Sequence, residues 1–352
     1  MHIFDYSFLD NGLLPERIVN LTATISAFKA ISGERMGKNQ KIYTELEAIA
    51  RVQSVKGSNA IEGIVTTDAR IKAIVEGNSA PLNHNEMEIA GYRDALDEVH
   101  KHHMQLSFSE EVILHLHQAI QGVAGTDSGG KYKDEDNLIM EVDVTGRRSV
   151  RFRPVSAAQT KDAMEQLVFA YMEARNNPNI NQLLLVPCVV LDFLCIHPFG
   201  DGNGRVSRLL SLLLMYKNGF DVGKYVSFEE QINETKEQYY DALYESSQKW
   251  HENENSYVPF MENFLVTLYR CYKELDKRFS TINGKRISKN ERIEQTVMNS
   301  VIPISKSEIC EILPDVSVTT VEAVLGKMVK SGDVKKLGQA RNTKYVNAKY
   351  VK

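Results

Sequence analysis

Two apolar segments separated by a short polar stretch constrain the fold of this chain most strongly. The first segment, Leu183 to Ile196, is almost wholly apolar, and the second runs from Leu209 to Met215. This composition predicts two buried helices. Pro198 cannot continue the first helix, and it biases His197 away from helical dihedral angles. We therefore expect residues 197–208 to form a loop that leads into the N-terminus of a core helix.

The polar stretch, HPFGDGNGRVSR, carries groups suited to binding phosphate. Backbone N–H groups at a helix N-terminus bind anions, and Gly202 and Gly204 let the backbone approach a phosphate closely. Arg205 and Arg208 are three residues apart, hence on one helix face, where both guanidinium groups can contact phosphate oxygens. The alternative is a plain polar loop between two buried helices. A P-loop is excluded, because the sequence has no G-x-x-x-x-G-K-[ST] pattern.

Two further side chains in this stretch supply acid–base and metal chemistry. His197, with a reference pKa of about 6.5, can accept a proton from an attacking hydroxyl near neutral pH. Asp201 can hold Mg²⁺, which typically takes one or two carboxylates together with substrate phosphates. These groups together favour transfer of a phosphate-containing group from a nucleotide to an alcohol.

The stretch resembles the signature of the Fic family, H-P-F-x-[D/E]-G-N-G-R-x-x-R, and matches every fixed position. Family members of this type generally transfer AMP from ATP to a Ser, Thr or Tyr hydroxyl of a protein and release pyrophosphate. The resemblance implies that His197 is the catalytic base, that Asp201 binds Mg²⁺, and that Asp at this position favours AMP transfer over phosphocholine transfer. It also implies an anion hole and phosphate-binding arginines within one nucleotide-binding stretch: Gly202, Asn203, Gly204, Arg205, Val206, Ser207 and Arg208.

A second short motif lies at the end of a predicted helix that begins near Lys41. Residues 58–63, SNAIEG, resemble the inhibitory motif of the Fic family, [S/T]-x-x-x-E-[G/N], so that Ser58, Glu62 and Gly63 are its fixed positions. In family members that carry the motif before the core, the glutamate pairs with the second arginine of the signature, here Arg208. Such a carboxylate takes the place of the γ-phosphate, so ATP binds only unproductively. The alternative is an ordinary helix end at Gly63.

Residues 137–154, NLIMEVDVTGRRSVRFRP, alternate apolar and polar residues on both sides of Thr145-Gly146, which predicts a β-hairpin. In the family, a hairpin called the flap lies beside the active site and aligns the target protein by strand addition. Its arginines favour either an acidic target segment or simply a soluble edge strand. They are Arg147, Arg148, Arg151 and Arg153.

Tyr239 and Tyr240 follow the signature on a predicted helix, where family members often place aromatic residues against the adenosine. By composition alone they are ordinary helix tyrosines. Ser247 stands a little further on, where the family often has Asn.

The remaining patterns predict a mainly α protein of three parts. These are a helical N-terminal region with the inhibitory helix (1–104), a Fic-type helical core with the flap hairpin (105–280), and a C-terminal winged helix-turn-helix domain (285–352). Phe108 to Gly122 is a predicted amphipathic helix with Ser109 as its N-cap, and residues 280–284 a predicted linker. Four histidines are expected on a hydrated helix surface rather than in a metal site: His84, His100, His102 and His103.

The C-terminal part is basic, with 13 Lys and Arg against 7 Asp and Glu after residue 284, whereas the whole chain has 42 against 46. Ser305 and Ser317 are predicted N-caps of two helices, and two short strands are predicted around residues 338–342. One interpretation is that this part binds DNA through its third helix, Thr319 to Lys330. The other is a structural or protein-interaction module, because that helix offers few side chains that read bases.

Taken together, the sequence predicts a protein adenylyltransferase that uses ATP and Mg²⁺, modifies a protein hydroxyl (its own included) and is inhibited by Glu62. Two alternatives remain: a DNA-binding regulator with a nucleotide-sensing core, and a hydrolase that removes AMP, with Glu62 orienting a water. The chain shows no signal peptide and no membrane-length apolar segment, and its four cysteines lack C-x-x-C spacing. We therefore expect a cytoplasmic protein with buried free thiols and no membrane contact, and by family analogy a homodimer.

Overall fold

The computed structural model describes residues 2–123, 125, 128–142, 146, 148–283, 288–298, 300, 303–313, 316–338 and 343–350. Its contacts divide the chain into two compact units, Met1–Lys273 and Glu274–Lys352, and each is described by itself. Most of the described residues are helical, which confirms the predicted mainly α fold. The predicted boundary at residue 104 stays a prediction.

The first unit is built from helices and a hairpin. Its helices before the hairpin are α1 (Phe8–Asn11), α2 (Glu16–Lys38), α3 (Gln40–Ile61), α4 (Asp68–Val75), α5 (His84–His102) and α6 (Glu110–Gly122). The hairpin consists of β1 (Ile139–Val142) and β2 (Arg148–Phe152). After it come α7 (Ala157–Asn176), α8 (Gln182–Ile196), α9 (Asn203–Lys217), α10 (Phe228–Glu234), α11 (Lys236–Ser247) and α12 (Val258–Asn283), which continues into the second unit.

Helices α8 and α9 form the centre of the core, as the apolar segments predicted. All residues of α8 after Gln182 are buried, and so is nearly all of α9. The Ser109 side chain caps α6 by accepting a hydrogen bond from the Val112 N–H, which confirms the predicted start of that helix. Gly63, with φ of 78°, follows the end of α3 as expected.

The predicted hairpin is present, with β1 and β2 antiparallel. Met140 lies opposite Val150, and the register shifts between Ile139 and Met140. Thr145 and Arg147 lie outside the described residues. Strand β2 lies beside α11, where Arg151 contacts the rings of Tyr240 and Tyr244.

The second unit contains α13 (Lys289–Met298), β3 (Ile304–Ser305), α14 (Lys306–Ile312), α15 (Val318–Ser331), β4 (Val334–Leu337) and β5 (Lys344–Asn347). Both predicted strands are present, together with β3, which the sequence did not reveal; the antiparallel order is β3-β5-β4. The turn residues 339–342 lie outside the described residues. The winged-helix assignment and DNA binding stay predictions. Residues 281–283, expected in a linker, are helical and form the end of α12, whose buried apolar stripe reaches Leu275 and Phe279 just before them.

Two expectations about polar side chains need correction. His100 is buried, not hydrated, and its Nε2 lies 3.2 Å from the Tyr216 hydroxyl because α5 turns this face toward α9. Cys188, Cys195 and Cys271 are buried free thiols as predicted, whereas Cys310 is only partly buried. Within the described ranges, no helix combines the length and apolar character that a membrane crossing needs.

Candidate active site

His197 ends helix α8 in a left-handed conformation, with φ of 51° and ψ of 61°. Its N–H still donates to the Phe193 carbonyl at 2.9 Å, so it closes the last turn. Pro198 disfavours the right-handed helical region for the residue before it, and histidine is one of the few residues besides glycine found repeatedly in the left-handed region. The loop therefore leaves α8 at His197, and this half-buried imidazole lines a cavity.

Asn203, the first residue of α9, closes the loop on itself. Its Oδ1 accepts the Phe199 N–H at 2.9 Å, and its Nδ2 donates to the Phe199 carbonyl at 2.7 Å. Gly202 precedes it with φ of 82°, a conformation that favours glycine. The Asn203 side chain thus holds the loop, and the helix N-terminus offers backbone N–H groups to a ligand.

Arg208 and Glu62 are in contact, as the resemblance implied. The Arg208 Nη2 donates to Glu62 Oε1 at 2.7 Å and to the Ser58 carbonyl at 3.0 Å, while its Nε donates to Ser58 Oγ at 2.8 Å. Burial acts to lower the pKa of Arg208, and the negative neighbours, Glu62 first, raise it above its ordinary value. A Cβ at Gly204 would overlap Glu62 Oε1, so glycine is required there for the carboxylate to lie against α9.

Arg205 points elsewhere, although it lies only three residues before Arg208. Its guanidinium is 1% exposed and contacts Glu88 Oε2 of α5 at 2.6 Å and Asp201 Oδ2 at 3.2 Å. Arg205 therefore does not line the cavity, and neither do the buried Val206 and Ser207. The Asp201 carboxylate is 79% exposed, which fits a group that holds Mg²⁺ jointly with substrate phosphates. Among the residues with described positions, no group of three or more His, Cys, Asp or Glu could hold a metal by itself.

A cavity of about 500 Å³ brings together six of the residues predicted for the site, whereas Asp201, Gly202 and Asn203 are not among those that line it. This volume lies within the range of small-molecule pockets. Three cationic side chains and one carboxylate line it, with apolar and aromatic residues opposite. The lining includes Glu62, His197, Gly204 and Arg208, then Lys236, Tyr239, Tyr240, Tyr244 and Ser247 of α11, and Met140 and Arg151 of the hairpin.

The hairpin arginine Arg151 contacts helix α11, and the two roles considered from the sequence stay predictions. It donates to the Tyr240 carbonyl at 2.5 Å, and its guanidinium lies 5.0 Å from the centre of the Tyr244 ring. Arg151, which is partly exposed, therefore joins the hairpin to α11 at the cavity. The Arg153 carbonyl likewise accepts from His251 Nε2 at 2.7 Å.

The electrostatics of His197 suit a neutral base. Burial lowers its pKa to about 4, and Lys133 adds to this effect, although the Leu194 carbonyl opposes it. The Nδ1 atom lies 3.4 Å from that carbonyl. Because a carbonyl only accepts, this contact assigns the proton to Nδ1 and leaves Nε2 able to accept one.

Three residues beneath the loop were missed by the sequence analysis. Lys133 is 7% exposed and donates to the carbonyls of Ile196 and His197, and burial lowers its pKa to about 8. Asn137 donates to the Phe199 carbonyl, and the His117 ring stacks on Phe199 at 3.8 Å. Lys133 belongs to the charged run KYKDED, which is typical of an exposed loop, so its sequence carries no signal for burial.

Comparisons with known proteins agree with this architecture. Residues 107–215 match the model of the Fic/DOC family. The chain is 24% identical over 239 residues to "Protein adenylyltransferase Fic" of Nematostella vectensis, covering 62% of this chain and 53% of the relative. It is 26% identical over 171 residues to "Protein adenylyltransferase fic-1" of Caenorhabditis elegans, covering 46% and 31%. The matches thus span about half the length or less of these curated relatives.

The crystal structure of a Fic family protein from Desulfovibrio desulfuricans G20 has the same fold. Its TM-score is 0.63 at 18% identity, and the match covers 95% of this chain and 97% of that one.

Proposed function

We propose that this chain, whose residues 107–215 match the Fic/DOC family, is a protein adenylyltransferase, which transfers AMP from ATP to a hydroxyl of a protein, its own included. The observation that carries the proposal is the single cavity shared by His197, the N-terminus of α9 at Gly204, and Arg208. A base, a helix N-terminus and an arginine are the groups that phosphate transfer to an alcohol requires. The names of the curated relatives support AMP as the group transferred.

In the proposed reaction, the target hydroxyl oxygen attacks the α-phosphorus of ATP. His197 Nε2 takes the hydroxyl proton, and the bond from the α-phosphorus to the bridging oxygen breaks, so pyrophosphate leaves. With its pKa lowered to about 4, the His197 imidazole is neutral at pH 7, so Nε2 carries a free lone pair that can accept this proton. The N–H groups at the start of α9 stabilise charge on the phosphate oxygens.

Asp201 would hold the Mg²⁺ ion in this scheme. The bound ion would supply positive charge that offsets the negative phosphate oxygens. Arg205, held by Glu88, would orient the Asp201 carboxylate through its 3.2 Å contact. Arg205 is thus assigned to the support of Asp201, and Arg208 to the nucleotide.

We further propose that Glu62 inhibits the enzyme. Its carboxylate binds the Arg208 guanidinium at 2.7 Å and lies against Gly204. A terminal phosphate would bind the same guanidinium and the same helix N-terminus. Two anions cannot share one arginine without repulsion. A nucleotide would then bind with its phosphates displaced, and the α-phosphorus out of line with the target hydroxyl.

The decisive test compares wild type, Glu62→Gly and Glu62→Gly/His197→Ala with α-³²P-labelled ATP and Mg²⁺, following label on protein. We expect Glu62→Gly to label at least about tenfold faster than wild type, since a tenfold change needs only about 1.4 kcal/mol of competing interaction. The double variant should not label, because no base remains.

Glu76→Gly is a matched control, since Glu76 also caps a helix end and also precedes a left-handed glycine, Gly77. Equal labelling by wild type and Glu62→Gly would remove Glu62 as the inhibitor. An absence of label with every variant, in lysate as well as alone, would contradict AMP transfer.

A further inference from the structure

The segment 133–137 holds the loop of His197 through four consecutive carbonyl groups. Lys133 Nζ donates to the carbonyls of Ile196 at 3.2 Å and of His197 at 2.9 Å. The Lys133 N–H donates to the Pro198 carbonyl at 2.9 Å. Asn137 Nδ2 donates to the Phe199 carbonyl at 3.0 Å, and its Oδ1 accepts from Lys133 Nζ at 2.8 Å.

The physical need for such a partner arises at the C-terminus of α8. The last carbonyls of a helix have no partner within it, and they carry the negative end of the helix dipole. A buried carbonyl without a hydrogen bond costs about 1–3 kcal/mol. The Lys133 ammonium has three donors, and it donates them to three uncharged oxygens: the carbonyls of Ile196 and His197 and Oδ1 of Asn137. Its positive charge therefore stabilises the negative end of the α8 dipole.

Lys133 does not line the cavity, so it is placed to act on the reaction through His197 and not on the nucleotide. Its two carbonyl contacts flank the left-handed residue at the point where the chain leaves the helix. Of the two lysines in the charged run KYKDED, Lys133 is buried and bonded to this loop, whereas Lys131 is exposed.

We propose that Lys133 is a positioning residue that fixes the backbone of His197, and hence the direction of its imidazole, by closing the C-terminal end of α8. The expected effect on catalysis rests on the proposed function, whereas the positioning of His197 by Lys133 does not depend on it. Without this ammonium the carbonyls of Ile196 and His197 would lose this donor, although the Lys133 N–H and Asn137 would still hold the two residues that follow. The imidazole would then sample other directions.

The catalytic test uses the Glu62→Gly background, in which transfer is expected to be fast. We expect Lys133→Met to lower kcat by about 100-fold, the effect of roughly 1 Å of misplacement, and to change KM for ATP by less than about twofold. Lys133→Arg, which keeps charge and donors, should recover part of kcat. Lys131→Met is the matched control and should behave as the parent; an equal kcat for Lys133→Met would overturn the proposal.

A second measurement separates this inference from the proposed function. The His197 imidazole signal, identified by its loss in His197→Ala, is titrated by NMR in wild type, Lys133→Met and Lys131→Met. Loss of the ammonium should raise the His197 pKa from about 4 toward its ordinary value, while Lys131→Met leaves it in place. An unchanged titration and unchanged shifts in Lys133→Met would refute the positioning role, whether or not any variant transfers AMP.

Should Lys133→Met fail to fold, Asn137→Ala answers the same question in milder form. It removes the Phe199 carbonyl contact and one Lys133 acceptor while keeping the ammonium. We then expect a smaller rise of the His197 pKa together with a smaller loss of kcat. If Asn137→Ala moves neither quantity, the segment does not position His197.

Discussion

The Arg208 side chain is only 2% exposed, and it donates its hydrogen bonds to Ser58 of α3 and to Glu62, the residue that follows this helix. Ser58 is the less obvious of the two partners, because its hydroxyl accepts from Nε while its carbonyl accepts from Nη2. A buried charged donor that has no acceptor lowers the stability of the protein by about 1–3 kcal/mol or more. Ser58 therefore holds the Arg208 guanidinium in place by accepting two of its hydrogen bonds.

We expect Ser58→Ala to lower the free energy of unfolding of the first unit by about 1–3 kcal/mol, because Arg208 Nε would be left buried and unpaired. Urea unfolding at pH 7.5 measures this. Ser211→Ala is the control. Like Ser58, Ser211 is buried, but it lies on α9 and its hydroxyl donates to the Ser207 carbonyl of the same helix. Equal losses for the two variants would show that the Ser58 hydroxyl has no special part in holding Arg208.

At the scale of elements, helix α3 carries Glu62 and is held tightly against α10. Gly57 lies so close to α10 that a Cβ there would come within 2.9 Å of the Glu230 backbone. Ser54 donates to the buried Glu229, and Lys236 donates to the Ile61 carbonyl at 2.6 Å. The C-terminal half of the helix is thus anchored, and relief of the proposed inhibition is expected to involve its end at Glu62 and not the whole helix.

Gly57→Ala should push α3 away from α10, because the backbone of Glu230 cannot yield as a side chain could. We expect a loss of about 1–3 kcal/mol in stability, typical of overpacking, and faster labelling than wild type as Glu62 withdraws from Arg208. Gly33→Ala on α2 is the control, since its Cβ would meet nothing within 4 Å. Slower labelling by Gly57→Ala than by wild type would speak against a rigid α3.

At the scale of the whole molecule, burial lowers the pKa of several histidines of the first unit. The values are about 4 for His2, about 3 for His100, and about 4 for His117 and His197. The native state then binds fewer protons than the unfolded chain below pH 6.5, so these groups stabilise the fold fully above pH 6.5 and progressively less as pH falls toward 4. Asp192 acts oppositely, because burial raises its pKa to about 7 and the native state holds its proton.

We expect stability to fall between pH 7 and pH 5, and to fall about 2 kcal/mol less in His100→Gln, which removes one such histidine. Trp250, the only tryptophan of the chain, is buried in the first unit, so its fluorescence reports unfolding in urea at each pH. His102→Gln, an exposed position on the same helix, is the control. An identical fall in wild type and His100→Gln would exclude His100 from the acid response.

The sequence by itself determined the buried pair α8 and α9, the loop between them, the hairpin and the cap of α6. Each of these depends on residues near one another in the chain, because helix periodicity, proline restriction and capping act over a few residues. The pairing of Glu62 with Arg208 also followed from the sequence, but only through resemblance to a family. Residues alone would have left it as a helix end.

Only the tertiary structure decided which side chains meet. Arg205 and Arg208 share a helix face in the sequence pattern, yet Glu88 of α5 draws one of them from the cavity, and α3 holds the other. Lys133 reads as a solvated charge, yet its ammonium is buried beneath His197. The physical reason is the same in both cases: a charged group is placed by the partner that satisfies it, and that partner lies far away in the chain.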